Sequence, residues 1–142
     1  MSLYDIFDIS GSGMSAQSVR LNTTASNIAN AHSIASSTDE TYKARHPVFQ
    51  AVMNGVDVKN HGVSPNAGVQ VAGIVESQAD AVARYQPDHP LADEKGFVYT
   101  PNINIVEEMA NMISASRSYQ SNVQVANLTK NLLTKTLNLG NS

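Results

Sequence analysis

The stretch that most limits how this chain can fold is residues 104–139. A row runs through Ile105, Met109, Met112, Ser116, Tyr119, Val123, Ala126, Lys130, Leu133 and Leu137 in alternating steps of three and four. That spacing places one stripe along one side of an α-helix. Val125, Leu128, Leu132 and Leu139 widen the stripe toward the C-terminus. Asn104 stands where an N-cap is needed, Glu107 follows three residues later as in a capping box, and Gly140 supplies a C-cap. Acidic Glu107 and Glu108 open the segment, and Lys130 and Lys135 lie toward its end, which suits the helix dipole. About 35 residues at helical rise extend about 52 Å. That is long for a single domain of 142 residues.

A second helix is predicted at the other end, over about 3–31. Leu3 begins it, and Phe7, Met14, Leu21 and Ile28 recur at every seventh position. A seven-residue repeat keeps one seam against a partner helix with slight supercoiling. The complementary positions Ser10, Gln17 and Thr24 are polar, so the seam is narrow. Gly11 and Gly13 each weaken a helix by about 1 kcal/mol relative to alanine. The part before Gly13 is therefore expected to be mobile or hinged in the free protein. The helix closes in TTASNIANAHS, residues 23–33, with Asn27 and Asn30 three apart. Asparagine is a mediocre helix former whose amide bonds nearby backbone. These two residues either stop the helix or face another protein surface.

Between the helices lie all five prolines. "PVFQAVM" (47–53) and "GVQVAGIVE" (68–76) are rich in β-branched residues and read as two strands of a hairpin. Asn54-Gly55 and further turn signals mark a long connection between them. Residues 32–46 read as loop, and the proline-rich residues 77–103 as an extended loop. The organisation predicted is an N-terminal helix in 1–31, a central loop and hairpin region in 32–103, and a C-terminal helix in 104–142. The fold class is mainly α: long N- and C-terminal helices packed as an antiparallel coiled-coil-like pair, with a small central β-hairpin and an extended loop.

Composition bears on function chiefly by exclusion. A net charge of −3 leaves no electrostatic footprint for nucleic acid. The absence of cysteine removes disulfides, thiolate metal sites and a cysteine nucleophile. His32, His46, His61 and His89 are scattered through loop-like segments without metal-ligand spacing. The residues 11–13, Gly-Ser-Gly, lack the strand and lysine of a phosphate loop, and no G-x-S-x-G elbow occurs. No catalytic residue, cofactor or metal is expected. No cleavable signal peptide is visible, and no run approaches the roughly 18 apolar residues of a lipid-spanning segment. Charged residues are 15%, against about 25% in an average soluble domain. That favours contact with protein over display to water. Patterning leaves two readings open: a monomer with two packed helices and a hairpin, or an assembly subunit completed by copies or relatives of itself.

"LYDIFDISGSGMSAQSVRLNTTASNIAN" resembles the N-terminal signature of bacterial flagellar rod and hook proteins, which carry an A-x-N-x-A-N element near the helix end. The likeness extends through "YKARHPVFQ" and from "VESQADAVARYQPDHPLADEKGFVYTPN" to the C-terminus. Where relatives often place a T-x-G-Y turn after the asparagine element, this chain has a serine-rich segment ending in Thr41-Tyr42. The resemblance implies a structural subunit of the proximal rod of the basal body, exported without a cleaved signal peptide and transmitting torque across the periplasm. It implies as partners other rod proteins, copies of itself, and an export gate or membrane-ring base. A small self-contained helical adaptor or export chaperone with a coiled-coil binding surface is the alternative. On the rod reading, Asn27 and Asn30 are expected between subunits, fixing axial register. Leu3, Phe7, Met14, Leu21 and Ile28 are expected there from the first helix. From the last helix come Met109, Met112, Tyr119, Val123, Asn127, Leu133 and Leu137.

Overall fold

The computed structural model describes residues 3–54 and 66–140. Helix α1 spans Leu3–Asn30 and helix α2 spans Ile105–Gly140. Between them come β1 (Arg45–Asn54), β2 (Asn66–Glu76), β3 (Val82–Tyr85) and β4 (Phe97–Thr100). The two long helices pack antiparallel, and the strands form two hairpins, β1–β2 and β3–β4. Gly55 of the expected Asn54-Gly55 turn, the connection after it and His61 lie outside the described residues.

Local chemistry accounts for the helix ends. Asn104 Oδ1 accepts hydrogen bonds from the N–H groups of Val106 (3.1 Å) and Glu107 (3.4 Å), so Asn104 is the N-cap of α2. At the end of α1, the Asn30 carbonyl accepts the Ser33 N–H at 3.0 Å and the Ser33 hydroxyl at 2.8 Å. Those bonds satisfy a carbonyl that the ending helix would leave open. Gly11 and Gly13 both lie within α1, which continues through them. Gly140 is still helical, so α2 runs one residue beyond the stop expected there.

The segment expected to be an extended loop holds the second hairpin. β3 and β4 pair antiparallel, with Val82 opposite Thr100 and Tyr85 opposite Phe97. Four-residue strands are too short for alternation to declare itself in a sequence, and the eleven turn-rich residues between them mask the pairing. The connection folds tightly. Asp93 Oδ1 accepts the N–H of Lys95 (2.9 Å) and of Phe97 (2.8 Å), and Tyr99 donates its hydroxyl to Asp93 Oδ2 at 3.3 Å. Gly96 has φ of 81°, and a Cβ there would stand 2.9 Å from Tyr85 Cε2 and 3.2 Å from Pro87 Cβ. Only glycine suits that position. On the other side of β4, Ala35 and Tyr99 exchange backbone bonds of 2.9 and 3.0 Å, tying the loop after α1 to the hairpin.

The chain divides into two compact units, and each helix contributes to both. One comprises residues 1–19, 48–73 and 114–142; the other comprises 20–47 and 74–113. In the second unit Val98 of β4 is fully buried, and Thr100 and Pro101 are buried as well.

Candidate protein-interaction surface

The inward row of α1 is not the apolar one. Ser10, Ala16, Thr23, Thr24 and Asn27 are its buried residues. Gly13, Arg20 and Asn27, one heptad apart, each meet a polar residue of α2. Within the first unit, a Cβ added at Gly13 would be 2.8 Å from Asn122 Nδ2, so the missing side chain makes room for that amide. Within the second unit, Arg20 donates to Asn111 Oδ1 at 2.9 Å, and Asn27 donates to Glu108 Oε2 at 3.0 Å. The inward row of α2 is made likewise of small and polar residues: Glu108, Ala115, Ala126 and Thr129 are buried.

Asn27 is completely buried, and every hydrogen-bonding site of its amide is used. Its Nδ2 donates to the Arg45 carbonyl and to Glu108 Oε2, both at 3.0 Å. Its Oδ1 accepts the Arg45 N–H at 2.9 Å and the Tyr42 hydroxyl at 3.0 Å. A backbone N–H can only donate and a carbonyl only accept, so these partners determine which way the amide points. Asn27 thus joins α1 to the first residue of β1, to Tyr42 and to α2. Burial lifts the Tyr42 phenol above its ordinary value, opposed by the nearby Arg45 charge and reinforced by Glu108 and Glu76. The Arg45 guanidinium lies 5.7 Å from the centre of the Tyr42 ring, within cation–π range.

The amide expected to bond a neighbouring subunit is therefore spent inside the chain. Burying an amide without partners costs about 1–3 kcal/mol, and four partners within reach leave nothing to offer outward. Asn30 is half-buried and donates its amide to the Ser26 carbonyl at 2.8 Å, a local bond one turn back. Sequence reasoning had Asn27 but not Tyr42, Arg45 or Glu108 as its partners. Nothing in linear spacing reports a contact across 15, 18 or 81 positions.

The large apolar side chains lie elsewhere. Among the expected contact residues, Phe7 is 46% exposed, Met109 52% and Leu137 68%, and Tyr119 and Asn127 are also exposed. Leu3, Met14, Leu21, Ile28, Met112, Val123 and Leu133 are half-buried. Beyond that set, Tyr4, Val106, Ile113, Val125, Leu128, Leu132 and Leu139 are exposed. A buried methylene-sized group contributes about 0.8 kcal/mol and a buried Leu or Ile about 1.5–3 kcal/mol. The helices hide the smaller contribution and display the larger one. Such display on two helices makes these faces the candidate protein-interaction surface.

Among the described residues no helix is long and apolar enough to cross a membrane, and no group of three metal-ligating side chains occurs.

Residues 7–32 match the family described as "Flagella basal body rod protein" and residues 94–139 match "Flagellar basal body rod FlgEFG protein C-terminal". The chain is similar to the flagellar basal-body rod protein FlgC of Yersinia enterocolitica, 50% identical over 141 residues and 99% of each chain. It is 48% identical to the Escherichia coli protein of that name over 143 residues and 99% of each chain. The Aquifex aeolicus protein is 41% identical over 137 residues, 96% of each chain.

Proposed function

The chain belongs to the FlgC family of flagellar basal-body rod proteins, and on that premise we propose that it builds the proximal rod and carries torque across the periplasm. It is a structural rod subunit of the basal body. Its neighbours are other rod proteins and copies of itself, with an export gate or membrane-ring base at the proximal end. It reaches the periplasm without a cleaved signal peptide.

One observation carries this reading: a helix pair with polar and small residues inside and large apolar residues outside. A pair of that kind gains little from its own closure, and a further layer of helices recovers the apolar burial it forgoes. We assign to that layer the exposed Phe7, Met109, Tyr119, Asn127 and Leu137. The half-buried Leu3, Met14, Leu21, Ile28, Met112, Val123 and Leu133 flank the seam and complete the contact from its sides, with Asn30 at the helix end. Asn27 sets register within the subunit, before any neighbour arrives.

Deleting the gene from its host should abolish motility and halt basal bodies before the rod is complete; restoring the full chain should return both. The tagged chain should co-purify with hook–basal bodies. A chain that stays cytosolic while motile cells assemble normal rods is an adaptor or export chaperone, a reading that the comparisons do not support.

A further inference from the structure

We propose that an aromatic notch on the β3–β4 hairpin receives the outward row of α2 from a second copy of this chain, giving a head-to-tail contact. The inference rests on the rod-subunit reading and names one of its contacts.

Antiparallel register puts Ala83 opposite Tyr99 and Tyr85 opposite Phe97, so these four side chains share one face of the hairpin. Ala83 is the small one. Tyr85 stands edge-on to Phe97 at 5.3 Å between ring centroids. Ala83, Phe97 and Tyr99 line an open concavity together with Asp93, Glu94 and Lys95. Tyr85 is 66% exposed. The notch is preformed: the Asp93 carboxylate holds the backbone of Lys95 and Phe97 and the Tyr99 hydroxyl. A preformed wall lowers the ordering cost of docking.

The same chain carries a matching shape. Val125, Leu128, Leu132, Lys135 and Leu139 follow one another at alternating steps of three and four on α2. Leu128 and Leu132 are exposed, and so is Lys135. A leucine in the notch lies over the Ala83 methyl between aromatic rings. Charge complements shape. The concavity's lining has two carboxylates against one ammonium, Lys135 lies one turn beyond Leu132, and neither Glu94 nor Lys135 makes an ion pair among the described residues. Notch and row are different patches, so a copy can give its row to one neighbour while its notch takes the row of another, a heterologous union that propagates from copy to copy. An axial structure needs contacts of that type.

The chain has no cysteine, which makes disulfide trapping clean. Two differently tagged full-length copies, one A83C and one L132C, would be co-expressed in the host, oxidised, and recovered in hook–basal bodies. The expected result is a disulfide joining the two tags. Charge reversal supplies a second reading: E94K or K135E alone should reduce motility, and the two together in every copy should restore it. Intact basal bodies that contain both copies but no joined tags overturn the contact, as does A83C trapped on a different protein. A double reversal no better than either single overturns it too. Basal bodies without the chain would instead remove the rod-subunit reading itself.

Discussion

The seam between the helices and the outward faces of those helices obey opposite rules. At the seam, Asn27, Glu108, Arg20 and Asn111 are joined by hydrogen bonds, and alanine and threonine fill the remaining space. Outside, Leu128, Leu132 and Leu137 are each more than half exposed. A self-sufficient globule sorts its residues the other way. On the proposed assembly reading the difference separates two tasks: polar groups inside specify how the subunit closes, and apolar groups outside store the free energy of joining others.

Four measurements would break or sharpen that contrast. The largest effect is expected from Asn27→Ala. It leaves the Arg45 N–H and carbonyl, the Tyr42 hydroxyl and the buried Glu108 carboxylate short of a partner. The expected cost is about 3–5 kcal/mol, read from urea unfolding with amide exchange over residues 20–47. A loss below about 1 kcal/mol would show that the polar seam does not hold the subunit closed.

Gly96→Ala should come next. It combines a left-handed backbone with a Cβ 2.9 Å from Tyr85 Cε2, for about 2–4 kcal/mol of destabilisation. Loss of the hairpin's cross-strand NMR contacts would check it.

Acid should have a smaller effect, centred on Asp93. The Phe97 N–H bond holds this carboxyl below its ordinary value, with desolvation opposing and Lys95 and Tyr99 assisting. A depressed carboxyl stabilises the fold above its ordinary titration range, near pH 4. That contribution is lost as pH falls through the lower, folded value. The Lys95 and Phe97 amide resonances should therefore stay put at neutral pH and shift only below pH ~4; movement at higher pH would contradict the assignment.

Least of all on the isolated subunit, Leu128→Ser with Leu132→Ser should change stability by about 0.5 kcal/mol or less. The same pair should abolish rod incorporation in cells. A marked destabilisation of the monomer would mean that these leucines serve its own core.

Several of these elements were legible in the sequence. The three-four spacing of 104–139 and the heptad of 3–31 announce the two helices, and Asn104 caps the second as its position indicates. The β-branched runs near 47–53 and 68–76 correspond to β1 and β2. The β3–β4 hairpin was hidden because its strands are four residues long and its turn is held by Asp93, whose role depends on a neighbouring fold. Which helix face turns inward was also hidden. The apolar heptad Phe7, Met14, Leu21, Ile28 invites burial, yet Phe7 is exposed and the others half-buried. The decisive signal was the quieter one, Gly13, Arg20 and Asn27 at the same spacing.

By itself the sequence determined the periodicity, the N-cap of α2 and the family, because each is written in neighbouring residues or in a motif that chain order preserves. Only the tertiary structure decided that the polar rows face each other and that Asn27 is satisfied within the subunit. The physical reason is that a hydrogen bond is counted against water. An amide is tolerated in a seam only if its partners arrive together, and theirs come from residues 42, 45 and 108.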